Sequence, residues 1–392
     1  MEAQKLYYGD SHQKTFTATV TCCRETAGGF WVTLNQTAFY PEGGGQACDL
    51  GSLGGIRVLD VQERDGKVLH LCEKPLAVGA SVQGEIDWQR RFDLMQQHTG
   101  EHIVSGIVHR VFGGHNVGFH MGAEEITIDF DVPIPLEALE EIEKQANRAV
   151  FENLPVFCSY PSAEELAVLP YRSKKALPWP VRIVEIPGYD VCACCGVHTK
   201  FTGEIGIIKL LSCVKFHEGV RIEMVCGERA RRLFSRIYGQ NRLVSQAFSA
   251  KILETGAAAE KMNQALAAEK LRGNALERRI LTLLAQGYVN QKNVVHFDDA
   301  LSPVAARPLA EEIARVCGGV AAVFVGSDDA GYRFCLISKQ QDVSPLGRAI
   351  LQQPGGKGGG KAGFFQGSVC ATKKQLYRLF LESIDSCSNF PE

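Results

Sequence analysis

The chain opens with short runs in which apolar and polar residues alternate, the two-residue period of strands with one buried face. TFTATVTCC, GGFWVTL, GSLGGIRVLDVQE, KVLHL and SVQGEID follow one another between glycine-rich turns over residues 1–88. That spacing predicts a small β-barrel. At Asp87 the period changes. In DWQRRFDLMQQHTGEHIVSGIVHRVFGG, Phe92, Met95, Ile103, Ile107 and Val111 recur at helical intervals until Gly113 and Gly114, which predicts a helix of about five turns.

Alternation returns in EEITIDFDV, VRIVEI and EIGIIKLLSCVKF, and PLEALEEIEKQANRAVFEN carries a second amphipathic helical pattern. Residues 89–226 therefore read as an α/β domain. Residues 227–286 are almost free of proline and rich in Ala, Leu, Glu, Arg and Gln, the composition of a helical arm. Residues 287–392 combine strand-like VAAVFVGS and YRFCLIS with helix-like PLAEEIARVC and TKKQLYRLFLESI around a glycine loop, a second α/β domain. The expected fold class is α+β and multidomain.

Composition changes the picture little. With 42 Lys and Arg against 44 Asp and Glu, no global basic excess announces a nucleic-acid partner. The one local surplus lies in 227–286, with 11 basic and 5 acidic residues centred on ERARRLFSRIYGQNR. It suits either a solvated helix face or contact with an RNA backbone. The N-terminus lacks a signal-peptide pattern, and no apolar run is long enough to span a bilayer. A cytoplasmic protein without a membrane partner is expected. Fourteen cysteines, irregularly spaced, read as reduced thiols rather than a disulfide framework. Cys72, Cys213, Cys226 and Cys335 lie inside apolar runs; the cluster Cys192, Cys194 and Cys195 breaks that pattern.

On the first long helix His98 and His102 are four positions apart, so their imidazoles project from one face. CACCGVH supplies Cys194 and His198 at a second four-residue spacing. Three imidazoles and a thiolate are a donor set that zinc favours in tetrahedral coordination, and one Zn2+ per chain is expected. Cys192 and Cys195 compete as ligands, with spacings of six and three from His198. Four protein ligands also suit a purely structural zinc. In TAFYPEGGGQACDLG, Gly43, Gly44 and Gly45 either form a tight turn between strands or let backbone amides approach an anionic oxygen.

TAFYPEGGGQACDLG, MQQHTGEHIVSG and CCGVHTKFTGEIGIIKLLSCVKFHEGVRIEMVCGERA together resemble the editing domain of alanyl-tRNA synthetases, in order and spacing. The chain starts at the barrel and is similar to the freestanding AlaX proteins. GGKGGGKAGFFQG behind a helical arm is similar to the C-terminal domain that alanyl-tRNA synthetases share with DHH-type phosphoesterases, which suggests the long AlaX form. No DHH signature itself is present, so phosphoesterase activity is not expected.

The resemblance implies four regions: a β-barrel with the glycine motif at 1–88, a zinc-containing editing domain at 89–226, a helical arm at 227–286 and a C-terminal tRNA-binding or oligomerisation domain at 287–392. It implies hydrolysis, in trans, of serine, with glycine as a further substrate, from mischarged tRNA-Ala. A homodimer through the C-terminal region is compatible with it. Thr37 resembles the barrel threonine that senses the serine hydroxyl; otherwise it is an ordinary strand threonine. Gly43, Gly44, Gly45 and Gln46 take the substrate-binding positions. Glu101, beside His102, is the nearest carboxylate in sequence, a base or a partner for an imidazole, or a surface residue, since it points about 100° away from His102 on the helix. Synthetases often carry a small or hydroxyl residue there. Where they have C-G-G-T-H, this chain reads Cys194-Cys195-Gly196-Val197-His198. Asn116, Phe119 and His120 fall where the family places residues near the substrate. The alternative is an inactive tRNA-binding or regulatory protein with a structural zinc.

Overall fold

The computed structural model describes residues 3–173 and 179–385, and its internal contacts divide the chain into two compact units, Met1–Leu243 and Val244–Glu392. In the first unit six antiparallel strands close into a barrel: β1 (Thr15–Thr26), β2 (Gly29–Leu34), β3 (Gly51–Leu53), β4 (Ile56–Arg64), β5 (Lys67–Cys72) and β6 (Ser81–Ile86), in the spatial order β1-β2-β5-β4-β3-β6. Closure leaves no unpaired sheet edge. The alternating residues Phe16, Ala18 and Val20 of β1 point inward with Val32, Leu34, Val58, Val61, Val68 and Val82 to fill it. The run GSLGGIRVLDVQE is two strands rather than one, because Gly54 and Gly55 turn the chain between them.

Helix α1 spans Trp88–Phe112, about seven turns at 3.6 residues each rather than five, because it begins at Trp88, one turn before Phe92, the first residue of the apolar pattern. Asp87 caps its start by accepting a hydrogen bond from the Arg90 amide, and Gly113 ends it. From Leu94 to Val108 every residue is buried, so the helix is enclosed on all sides, and a one-faced apolar pattern hides its full length. The fully buried Arg91 ties the helix to the barrel. It pairs with Asp49 and donates to the backbone oxygens of Ser11 and Ala38, and Asp49 in turn accepts from the Tyr40 amide. The segment carrying the glycine motif is thereby fixed to the first turn of α1.

Behind α1 stands a sheet in the order β12-β13-β8-β7, built from β7 (Asn116–Met121), β8 (Ile126–Phe130), β12 (Ile208–Phe216) and β13 (Gly219–Cys226), with α2 (Ala138–Glu152) packed beside α1. Ile103, Ile107, Ile128, Phe130, Ile142 and Ile222 form its core, each side chain contributing about 1.5–3 kcal/mol by burial. A three-stranded sheet, β9 (Phe157–Ser159), β10 (Ile183–Ile186) and β11 (Asp190–Ala193), delivers the CACCGVH segment. Helix α3 (Gly227–Ala247) follows, and the division between the units falls within it.

The second unit takes in the end of α3 and then α4 (Thr255–Gln286), and carries a five-stranded sheet in the order β14-β15-β16-β18-β17: β14 (Val294–Asp298), β15 (Val320–Ser327), β16 (Gly331–Ser338), β17 (Lys357–Lys361) and β18 (Phe364–Val369). Helices α5 (Ala306–Val316), α6 (Ser344–Leu351) and α7 (Lys373–Asp385) complete it. The expected glycine loop is in part a strand. Lys357–Lys361 pairs with β18 from Lys357↔Ser368 to Lys361↔Phe364, because backbone pairing needs no side chains. Among the described residues no helix is long and apolar enough to cross a membrane.

Candidate metal centre

The segment DVCA is a strand that Cys194 follows directly, so Asp190, Cys192 and Cys194 recur at a two-residue period, and Asp190 and Cys194 meet the imidazoles of α1. His98, His102, Cys194 and His198 come together with their ligand atoms all within 4.8 Å of one another, every one buried. Donors around a tetrahedral zinc stand roughly 3.3–3.8 Å apart, and Cys194 Sγ lies 3.5 Å from His98 Nε2.

The surrounding hydrogen bonds fix which ring nitrogen faces the cluster. His98 Nδ1 donates to Gln46 Oε1 at 2.8 Å, an oxygen that also accepts from the Val197 amide at 3.2 Å. His102 Nδ1 donates to Asp190 Oδ2 at 2.8 Å. Thr99 gives its proton to the Met95 carbonyl at 2.8 Å, which leaves its oxygen to accept from His198 Nδ1 at 3.4 Å. Each ring therefore turns its Nε2 inward, and His198 Nε2 is a buried atom with no hydrogen-bond partner. An orphaned buried acceptor facing two imidazoles and a thiol is what a metal ion satisfies.

The electrostatics agree for Cys194 and His198. Burial pushes the Cys194 thiol up, but the neighbouring His98, His102 and His198 outweigh it and hold the group well below the ordinary thiol range. Burial, reinforced by His98, pushes His198 down to about 3. Burial works against protonation of His102 as well, yet the Asp190 carboxylate and Cys194 raise it well above its usual value. Cys194 and His198 thus favour the thiolate and the neutral imidazole that metal binding requires, whereas His102 has a proton to give up to the metal. The competing cysteines separate here. Burial pushes Cys192 up to about 11, and Cys195, also raised by burial, lies outside the four-donor cluster. Cys192 makes an overlapping group with His102 and Asp190.

A cavity of about 520 Å³ opens on the cluster, bordered by Gly44, Gly45, His98, Glu101, His102 and Phe119 among others. Gly43 and Gln46 exchange backbone hydrogen bonds at 3.0 and 2.9 Å, so the glycine run is a tight turn that also presents Gly44 and Gly45 to the cavity. Gly45 has φ +84°, and a Cβ there would come within 2.7 Å of the Phe119 ring. A Cβ on Gly196 would overlap the His98 ring, so both glycines are demanded by close approach. Gly43 and Gln46 border an adjoining cavity together with His120.

Glu101 is buried at 2% exposure rather than lying on the surface, because α1 is enclosed all round. Its carboxylate accepts from Ser105 at 2.7 Å and from Asn116, and lies 3.9 Å from His102 Nε2. Phe119 stacks on His98 with ring centroids 5.3 Å apart. Thr37 is elsewhere: fully buried inside the barrel, it faces His70 Nε2 at 2.9 Å and accepts from the Phe39 amide at 3.1 Å, and it does not border the cavity. Sequence reasoning missed Asp190, Arg172, Thr99 and Arg182. The last holds the ligand loop through Nη1 to the carbonyls of Cys194 and Gly196 at 2.9 and 2.8 Å. The two-residue period of DVCAC was the available signal for Asp190.

Two family descriptions match the chain: tRNA synthetases class II (A) over residues 6–90, and the threonyl and alanyl tRNA synthetase second additional domain over residues 181–226. The second covers β10 through β13, the segment that supplies Cys194 and His198. Among curated relatives, alanyl-tRNA editing protein Aarsd1 of Mus musculus is 29% identical over 389 residues, 92% of each chain. Alanyl-tRNA editing protein Aarsd1-A of Xenopus laevis is 30% identical over 355 residues, 88% of this chain and 86% of the relative. An alanine–tRNA ligase of Pyrobaculum arsenaticum is 31% identical over 399 residues, 95% of this chain but 43% of that protein. The chain belongs to the alanyl-tRNA editing protein family.

Proposed function

We propose that the protein hydrolyses, in trans, the ester joining serine, and to a lesser degree glycine, to the 3′ end of tRNA-Ala, with one zinc ion held by His98, His102, Cys194 and His198. The observation that carries this reading is the meeting on one cavity of His98, His102 and Cys194, three of the four clustered donors, with the Glu101 carboxylate and the Gly44–Gly45 backbone, in a chain whose relatives are named for alanyl-tRNA editing. A bound zinc supplies positive charge that polarises an ester carbonyl or anchors the substrate amine.

The other work falls to the chain. Gly44 and Gly45 border the cavity outside the turn's own pair of hydrogen bonds, and their amides suit a carbonyl oxygen gaining negative charge. Gln46, oriented by its two donors, steadies His98 through Oε1 and borders the adjoining cavity; its place among the substrate-binding positions rests on the resemblance. Glu101, steadied by Ser105 and Asn116, takes the proton of the attacking water and returns it to the departing ribose oxygen. Phe119 closes one wall and keeps bulk water away. Serine exceeds alanine by one hydroxyl, and only a hydrogen bond to that group yields useful discrimination. The assignment of Thr37 to that hydroxyl rests on the resemblance. The regions 227–286 and 287–392 are assigned, on the same basis, to an arm and a DHH-associated domain that bind tRNA or a second copy, and the protein to the cytoplasm.

The test is deacylation of Ser-tRNA-Ala, Gly-tRNA-Ala and Ala-tRNA-Ala with and without a chelator. The serine ester should be lost fastest and alanine spared, with activity abolished by chelation and in Cys194→Ala. Persistence of Ser-tRNA-Ala for as long as in buffer overturns the reading.

A further inference from the structure

The metal cavity shares wall residues with a second cavity, and that one with a third, and the three in succession are called a trough. Gly44 and Gly45 border both it and an adjoining cavity of about 510 Å³. Ala47 and Met121 border both that cavity and a groove of about 1070 Å³. All three lie within the first compact unit. The distal groove is lined by the first turns of α1 on one side and of α3 on the other.

Its chemistry differs from that of the metal end. Trp88 and Phe92 lie side by side, ring centroids 5.3 Å apart and tilted by 33°, and Lys14 Nζ stands 4.6 Å from the Trp88 ring centroid. Arg90, Arg231 and Arg232 also line the groove. The carboxylates beside them are committed: Asp93 grips the buried Arg229 at 2.7 Å, Glu228 pairs with Arg231 at 2.6 Å, and Asp87 caps α1. Arg90 spends its Nε on the Cys48 carbonyl at 3.1 Å, which leaves its charge unneutralised by that bond, and Arg232 is exposed. In the middle stretch Glu63 is paired with Lys5 at 2.6 Å, and Glu42 is an exposed carboxylate. Adjacent aromatic rings flanked by arginines are the combination that binds single-stranded nucleotides, rings to the bases and cations to the phosphates.

We propose that this trough receives the unpaired 3′-terminal nucleotides of the aminoacylated RNA, the terminal ribose ester lying at the metal end and the preceding bases against Trp88 and Phe92. The proposal rests on the hydrolytic reading for the direction of the strand, but not for its binding. The trough thereby supplies affinity for RNA upstream of the ester, so that the enzyme acts on tRNA-bound serine in preference to small seryl esters.

The test uses the full chain with Trp88→Leu, which keeps an apolar side chain against the neighbouring core, and separately Arg232→Glu on the exposed helix face. Two readouts are taken: the Kd of a fluorescein-labelled single-stranded RNA ending in CCA, by anisotropy, and KM for Ser-tRNA-Ala against the rate with 3′-O-seryladenosine, which has no upstream nucleotides. Each variant should weaken the oligonucleotide and raise KM by about tenfold, while hydrolysis of seryladenosine stays at the wild-type rate. A blunt duplex of the same sequence should bind no better to wild type than to the variants. Unchanged Kd and KM in both variants overturn the trough, as does an equal loss on seryladenosine. If no ester is cleaved by wild type but oligonucleotide binding depends on Trp88 and Arg232, the trough stands and the hydrolytic reading falls.

Discussion

Asp190 holds His102 in place: its Oδ2 accepts from Nδ1 of the imidazole at 2.8 Å, and Arg172 clasps both carboxylate oxygens at 2.7 and 2.9 Å. A carboxylate behind a ligating imidazole fixes its tautomer and raises its basicity. Asp190→Asn should therefore weaken zinc binding about 10–100-fold, measured by competition with a chromophoric chelator. Asp190→Glu should recover part of the loss. Wild-type affinity in Asp190→Asn at equal stability would show that the clasp serves folding alone.

Glu101 differs in kind, because it borders the cavity without belonging to the four donors. Glu101→Gln keeps an acceptor oxygen for Ser105 and Asn116 but cannot take a proton. Zinc content should remain at one per chain while kcat falls by about 10²–10⁴-fold. Loss of zinc in step with activity would instead make Glu101 a support for His102.

The barrel, the helices and all four donors were legible in the sequence because each follows a short-range period: two residues for β1 and β6, four between His98 and His102 and between Cys194 and His198. What lay hidden depends on burial or on long-range partners. Glu101 could be read as a base, an imidazole partner or a surface residue, because its helical angle against His102 does not show that α1 is enclosed on every side. Arg229, part of the apparent basic patch, is instead a buried partner of Asp93 and of the Gly122 carbonyl. The Arg172–Asp190–His102 clasp joins segments 88 positions apart, and no local pattern announces it. The strand Lys357–Lys361 was equally silent, since its KGGGK run has no apolar alternation to reveal the pairing.

Thr37 gives the barrel a separate test. His70 Nδ1 donates to the Val32 carbonyl at 3.1 Å, so Nε2 is the acceptor and the Thr37 hydroxyl its donor. Thr37→Val leaves His70 Nε2 and the Phe39 amide without a partner, each a buried polar group. Stability should fall by about 1–3 kcal/mol, read from urea unfolding. A changed ratio of Ser-tRNA-Ala to Gly-tRNA-Ala hydrolysis at undiminished stability would put the hydroxyl against the substrate instead.

The same pair makes stability depend on pH. Burial holds the His70 imidazole down to about 4, against 6.5 for the exposed group, with the Val32 carbonyl offsetting part of the effect. Between those values the unfolded chain binds a proton that the folded chain refuses, so the unfolded state gains as pH falls. The contribution is complete above pH 6.5 and is lost as pH drops through 4, a difference of about 3 kcal/mol. His70→Gln stays neutral throughout and can still accept from Thr37. Unfolding free energies measured from pH 7.5 to pH 4.5 should therefore fall more steeply for the wild type than for His70→Gln, with the two curves converging toward the acid end. Parallel curves would mean that His70 is protonated within the folded barrel, and that the donor in its contact with Thr37 is the imidazole rather than the hydroxyl.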